Sequence, residues 1–122
     1  MTKDITLKYV ANKQYHDAPA HPIKIIKDEV LTFIQESNPQ GDWPNWMLCQ
    51  GVEKEGWVPK QILRIEGTQA TALFDYDATE FNLKEGEVLI SYRKMNGWIY
   101  GFKESKPTVI GWAPLNCLQL IA

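Results

Sequence analysis

Four groups of residues in this chain are of types that do chemistry. The first is a set of aromatic and proline side chains: Tyr15, Trp46, Pro59, Phe74, Tyr76, Trp98 and Pro114, with Trp57 and Trp112 among them. Flat rings at a surface anchor partners rather than make or break bonds. The second group is His16 and His21, which flank Pro19. A metal site needs two further ligands, and Asp17 with either cysteine offers no recognisable spacing, so this segment reads as a solvated loop. The third is the thiol pair Cys49 and Cys117. A cysteine nucleophile needs a base and a cation nearby to lower its pKa. Neither has such a context and there is no CxxC spacing, so both read as buried, reduced core residues. The fourth is Asp75 with Glu85 and Glu87, whose simplest role is to accept backbone hydrogen bonds in turns. There is no phosphate-cradling glycine loop and no Ser-His-Asp arrangement. What remains is recognition, with no catalytic group and no cofactor expected.

The elements that must position those rings are strands. Ile5, Leu7 and Tyr9 alternate with polar neighbours, and alternation returns around Val30–Ile34 and Val88–Tyr92. No stretch sustains a 3.6-residue period. Turn formers separate the runs at Asn38-Pro39-Gln40-Gly41-Asp42, Asn96-Gly97 and Lys106-Pro107. Many short strands in a small chain predict an all-β fold of compact barrels.

The pattern occurs twice. Gly56-Trp57-Val58-Pro59-Lys60-Gln61-Ile62-Leu63 recurs 55 residues later as Gly111-Trp112-Ala113-Pro114-Leu115-Asn116-Cys117-Leu118. Tyr15 and Tyr76 are 61 apart, Val30-Leu31 and Val88-Leu89 are 58 apart, and Trp46 and Trp98 are 52 apart. The offset changes only between landmarks, so length differences fall in loops, as a duplicated fold requires. The expected division is a first domain over 1–65, a linker over 66–69 and a second domain over 70–122. Trp57 and Trp112, in a strand before a proline, are expected to pack structurally.

Ala72-Leu73-Phe74-Asp75-Tyr76, Leu83-Lys84-Glu85-Gly86-Glu87, Trp98 and Gly111-Trp112-Ala113-Pro114-Leu115-Asn116 together resemble a Src homology 3 (SH3) domain. The first copy is similar to more divergent, bacterial-type SH3-like domains through Tyr15, Trp46 and Gly56-Trp57-Val58-Pro59. The second copy is the closer of the two to the family pattern. The resemblance implies two five-stranded antiparallel SH3-like barrels in tandem. It further implies an aromatic groove for extended, proline-containing peptides, which lose little entropy on docking. Carried over by motif, one groove would use Phe74, Tyr76, Trp98, Pro114 and Asn116, and the other Tyr15, Trp46 and Pro59. The Trp98 position faces solvent in the family. Where the family ends its last motif with a tyrosine this chain has Cys117 and Ile62, and Lys13 stands at the first tyrosine of the strand motif in the first copy.

Thirteen basic and fifteen acidic residues are mixed along the chain, giving a net charge of −2. Without a basic stripe, nucleic acid and anionic membrane are not expected partners. The first residues carry no apolar signal-peptide core and no segment has the ~20 apolar residues of a membrane span, so the expected location is the cytosol. The function expected is a non-enzymatic adaptor that binds a protein or peptide partner. The alternative is an assembly protein whose aromatic faces pack on each other or on another subunit.

Overall fold

A computed structural model describes residues 6–121; Ile5, the first member of the alternating run, lies outside the described residues. The fold is all-β. Its strands are β1 (Leu7–Ala11), β2 (Lys24–Ile25), β3 (Val30–Glu36), β4 (Trp46–Gly51), β5 (Lys54–Pro59) and β6 (Leu63–Glu66), followed by β7 (Gln69–Ala72), β8 (Tyr76–Asp77), β9 (Val88–Met95), β10 (Trp98–Lys103), β11 (Lys106–Pro114) and β12 (Leu118–Leu120). The only helical pieces among the described residues are two 3-10 turns, Lys60–Ile62 and Leu115–Cys117. Each follows the proline of the repeated Gly-Trp-x-Pro element, whose fixed φ (−60° at Pro59, −77° at Pro114) ends the strand in an extended conformation.

The chain forms two compact units, and neither follows a sequence half. Unit 1 takes the residues up to Pro19 and those from Thr79 on; unit 2 is Ala20–Ala78. In unit 1 a five-stranded antiparallel sheet has the order β11-β10-β9-β1-β12, and in unit 2 a second runs β5-β4-β3-β7-β6. The first strand of the chain therefore sits between β9 and β12 of the C-terminal half, in the register Tyr9↔Leu89 and Tyr9↔Leu120. The first strand of the second half sits between β3 and β6, in the register Ala70↔Leu31 and Ala70↔Ile65.

The cause is local. Residues 66–69, expected to be a linker, close a hairpin: Glu66 pairs with Gln69 and only Gly67 and Thr68 lie between them. Gly67 adopts φ +64°, the left-handed conformation that a two-residue hairpin turn needs. So tight a turn brings β7 back along β6, and β7 fills the place beside β3 that a first strand would otherwise take. β1 is left to complete the other sheet.

The two units repeat the same bonds. The Asn12 N–H donates to Cys117 O (2.9 Å) as Leu73 donates to Ile62 O (2.7 Å). Ala11 and Gly86 bond across the strand end (Ala11 N–H to Glu87 O, Gly86 N–H to Ala11 O), as do Ala72 and Asp28 (Ala72 N–H to Glu29 O, Asp28 N–H to Ala72 O). In each acidic turn a glutamate accepts a backbone N–H: Lys84 donates to Glu87 Oε1 at 2.7 Å and Ile26 to Glu29 Oε1 at 3.1 Å. Asp75 plays a similar part, its Oδ1 accepting the Lys27 N–H at 2.8 Å.

The repeated glycine has a packing reason. A Cβ on Gly111 would stand 2.9 Å from the Thr79 carbonyl oxygen, and one on Gly56 would stand 2.7 Å from Ile23 Cγ2. In both units the arm that follows the crossover lies directly on this strand, and only glycine leaves room for it. The core of unit 1 gathers Tyr9, Ala11, Phe81, Leu83, Leu89, Ile99, Ala113, Cys117 and Leu118. Unit 2 buries Ile23, Ile25, Leu31, Met47, Cys49, Val58, Leu63, Ala70 and Ala72. Both cysteines are free and buried, as expected of core thiols.

Candidate functional site

In unit 1 the hairpin register places Trp98, first residue of β10, opposite Pro114, last residue of β11. The 3-10 turn that follows is pinned by the Leu115 N–H donating to Gly97 O at 2.9 Å. Tyr15 arrives from the N-terminal segment, held by reciprocal backbone bonds with Leu83 (3.0 and 2.8 Å). Its ring meets Trp98 edge-on, with centroids 5.9 Å apart and planes at 81°, a favoured aromatic geometry. The Tyr15 hydroxyl donates to Glu80 Oε1 at 2.6 Å.

Burial pushes the Tyr15 hydroxyl pKa up, and the Glu80 carboxylate that it bonds adds to the rise. Burial likewise lifts the Glu80 carboxyl above its ordinary value; the Tyr15 hydrogen bond opposes this and Asp17 reinforces it. This corner thus holds two acids, Asp17 and Glu80, near an aromatic pair. Asn116 is exposed just beyond Pro114, and its Oδ1 lies 3.4 Å from Cys117 Sγ. Burial raises the Cys117 thiol pKa, against a smaller opposing influence of Lys13. A thiol so held is not activated as a nucleophile.

Unit 2 repeats the Trp–Pro pairing. Trp46, first residue of β4, faces Pro59, last residue of β5. The Trp46 backbone is tied to Ser37, its N–H donating to Ser37 Oγ at 3.0 Å and its carbonyl accepting from the Ser37 N–H at 2.8 Å. Tyr76 pairs with Ile25 across β8 and β2, and Phe74 lies between β7 and Tyr76. The structure therefore regroups the expected groove residues. Tyr15 shares a unit with Trp98, Pro114 and Asn116, while Phe74 and Tyr76 share one with Trp46 and Pro59.

Exposure separates these side chains sharply. Phe74 is 61% exposed, whereas Trp46, Trp98 and Tyr76 are 6, 7 and 9% exposed. Trp98, expected to face solvent, is a covered ring. Trp112 is 2% exposed, as expected of a packing residue, but its counterpart Trp57 is 39% exposed. In unit 1 Trp112 donates to Thr79 O and accepts from the Phe81 N–H, both at 2.9 Å.

Sequence reasoning passed over Glu80 as a partner of Tyr15, 65 positions away, because the two were assigned to different domains. The loop histidines read as expected for solvated groups: both are exposed, and His16 Nε2 contacts only the neighbouring Gln14 Oε1 at 3.0 Å.

No curated protein matches the chain, and no solved structure does. A family model does match: residues 8–66 carry one variant SH3 domain. The match falls on the first copy, and it runs through both units, residues 8–19 in unit 1 and 20–66 in unit 2. An SH3-type domain is in general a non-catalytic fold for protein interaction, and the all-β sheets described above are consistent with it.

Proposed function

We propose that the chain is a non-enzymatic interaction module made of two SH3-like barrels, and that it binds an extended or proline-containing peptide along its aromatic corners. The observation that carries this reading is the Trp–Pro pairing built twice, Trp98 opposite Pro114 with Tyr15 against it in unit 1, and Trp46 opposite Pro59 in the unit that also holds Phe74 and Tyr76. An extended peptide that is already stiff loses little entropy when its rings pack on such surfaces. Asp17 and Glu80 beside Tyr15 favour a basic residue in the peptide bound to unit 1. Phe74 is the ring best placed to meet a partner, because it is largely exposed.

The test is a calorimetric titration of the full chain with proline-containing decapeptides, with and without a basic residue, backed by tryptophan fluorescence. Phe74→Ala removes an exposed ring, so it separates binding from folding. A loss of about 1–2 kcal/mol in binding is expected for this anchor. Absence of heat up to millimolar peptide refutes the reading, and binding unchanged by Phe74→Ala removes unit 2 from it.

One observation favours the second reading, an assembly protein whose rings pack rather than bind. Trp46 and Trp98 are nearly as buried as core residues. If that reading holds, Trp98→Ala destabilises the chain as a core truncation does, by about 3–5 kcal/mol, and titrated peptides leave the tryptophan emission unchanged.

A further inference from the structure

Each unit leaves one slot for a first strand, and the two slots differ in size. Tyr9 and Ala70 hold matching positions: Tyr9 pairs with Leu89 and Leu120, Ala70 with Leu31 and Ile65. The phenol of Tyr9 is 5% exposed, and Ala70 is wholly buried. The strands around them compensate. Unit 1 has Ala113 where unit 2 has Val58, on the registers Ile99↔Ala113 and Met47↔Val58. Tyr9 and Ala113 belong to one buried cluster. The smaller residue on β11 thus goes with the larger residue carried by the N-terminal strand, and in unit 2 the larger goes with the smaller.

We propose that a volume key at positions 9 and 70 assigns each first strand to the opposite half of the chain, so that the stretch 8–66 is not an independent folding unit. Tyr9 in the Ala70 slot would overfill a fully buried site between Leu31 and Ile65, and Ala70 in the Tyr9 slot would leave a cavity the size of a phenol. The key and the two-residue turn at Gly67-Thr68 act together: the turn delivers β7 to β6, and the key makes β1 the strand that unit 1 accepts. The stakes are highest for β12, whose only ladder partner among the described residues is β1. The proposal is independent of what either unit binds.

The test cuts the folded chain without removing anything. A protease site is placed in the Gly67-Thr68 turn, where a Cβ on Gly67 would meet nothing within 4 Å and an insertion is tolerated. After cleavage, each fragment still holds its first strand in the other fragment's unit. The cut parent is expected to elute from a native sizing column at the mass of the intact chain and to separate only in denaturant. The cut Tyr9→Phe chain, which keeps the ring, is expected to match it. Cut Tyr9→Ala is expected to hold its fragments at least 100-fold more weakly; if it does not fold before cleavage, Tyr9→Leu replaces it, with at least a tenfold loss. Separation of the cut parent into two folded pieces overturns the interlock. Fragments of Tyr9→Ala or Tyr9→Leu that associate as tightly as the parent, or Tyr9→Phe that weakens as much as they do, overturn the volume key.

Discussion

The glycine of the repeated Gly-Trp-x-Pro element offers a direct measure of how each arm lies on its sheet. In Gly111→Ala the added methyl stands 2.9 Å from the Thr79 carbonyl oxygen, about half an ångström inside ordinary contact. That oxygen cannot simply retreat. It accepts the Trp112 N–H at 2.9 Å, and two residues on the Phe81 N–H donates to Trp112 O at 2.9 Å. Moving the arm lengthens both bonds, each worth about 1 kcal/mol net, and backbone strain in an overfilled site adds about 1–3 kcal/mol. Alanine also stiffens the unfolded chain, which returns about 0.4–1 kcal/mol. The balance is a loss of roughly 2–4 kcal/mol. Gly56→Ala meets the Ile23 side chain instead, 2.7 Å from Cγ2 and 2.9 Å from Cβ. Ile23 is buried and its Cβ moves only with a backbone whose carbonyl accepts the Ala78 N–H at 3.0 Å, so the expected loss is about 1–3 kcal/mol. Urea unfolding followed by tryptophan fluorescence, with the slope checked for two-state behaviour, reads both. A chain carrying Gly111→Ala or Gly56→Ala that stays within about 0.5 kcal/mol of the parent, the range of neutral surface changes, refutes the reasoning for that arm.

Three further outcomes are expected. Glu80 has a raised pKa, so its contribution to stability is full below the usual 4.5 and is lost as pH rises through its folded-state value, whereas Glu29 and Glu87 have lowered values and lose theirs as pH falls through them. For Glu29 the cause is the Lys54 ammonium; at Glu87 burial opposes ionisation, and the Lys84 N–H and the Lys103 ammonium outweigh it. Stability measured against pH should therefore peak, and Glu80→Gln should flatten its fall on the alkaline side; an unchanged profile excludes Glu80 as the source. Tyr15→Phe strands a half-buried carboxyl by removing its 2.6 Å bond, with an expected loss of about 1–3 kcal/mol that thermal unfolding detects and that Glu80→Gln in the same chain reduces. Burial raises the Cys49 thiol pKa to about 11 and raises that of Cys117 as well, so thiol reagents at pH 8 should label both far more slowly in the folded chain than in denaturant; equal rates in the two states contradict the burial of the thiols.

How much of this was legible in the chain differs from element to element. The alternation at Val30–Ile34 and Val88–Tyr92 marks β3 and β9 because half-buried strands impose a period of two. The Gly-Trp-x-Pro echo marks β5 and β11 together with the 3-10 turns that follow them. The acceptor role of Glu87 was legible as a turn carboxylate, and it binds the N–H three residues before it; Glu29 repeats this in the other unit. Which sheet receives β1 was not legible from period. Leu7-Lys8-Tyr9-Val10-Ala11 and Gln69-Ala70-Thr71-Ala72 both alternate, and either pattern suits either slot. The signal lay in Glu66-Gly67-Thr68-Gln69, a glycine-containing turn between two alternating runs, which reads as a hairpin more naturally than as a linker. Side-chain volume at positions 9 and 70 carried the rest, and volume has meaning only once its neighbours across the sheet are known.

The same exchange decides which candidate site residues meet. Tyr15 stands 83 positions before Trp98, and no local rule brings them together. They touch because β1 completes the sheet that β10 and β11 belong to, and the segment after β1 then runs beside Leu83. Glu80 reaches the Tyr15 hydroxyl for the same reason. If β1 paired within its own half, Tyr15 would leave both Trp98 and Glu80, and the acids at 17 and 80 would part. Strand assignment and site composition are therefore one property of this chain. A substitution at Tyr9, remote in sequence from every candidate binding residue, is expected to act on the Tyr15–Trp98 corner through the strand that carries them both.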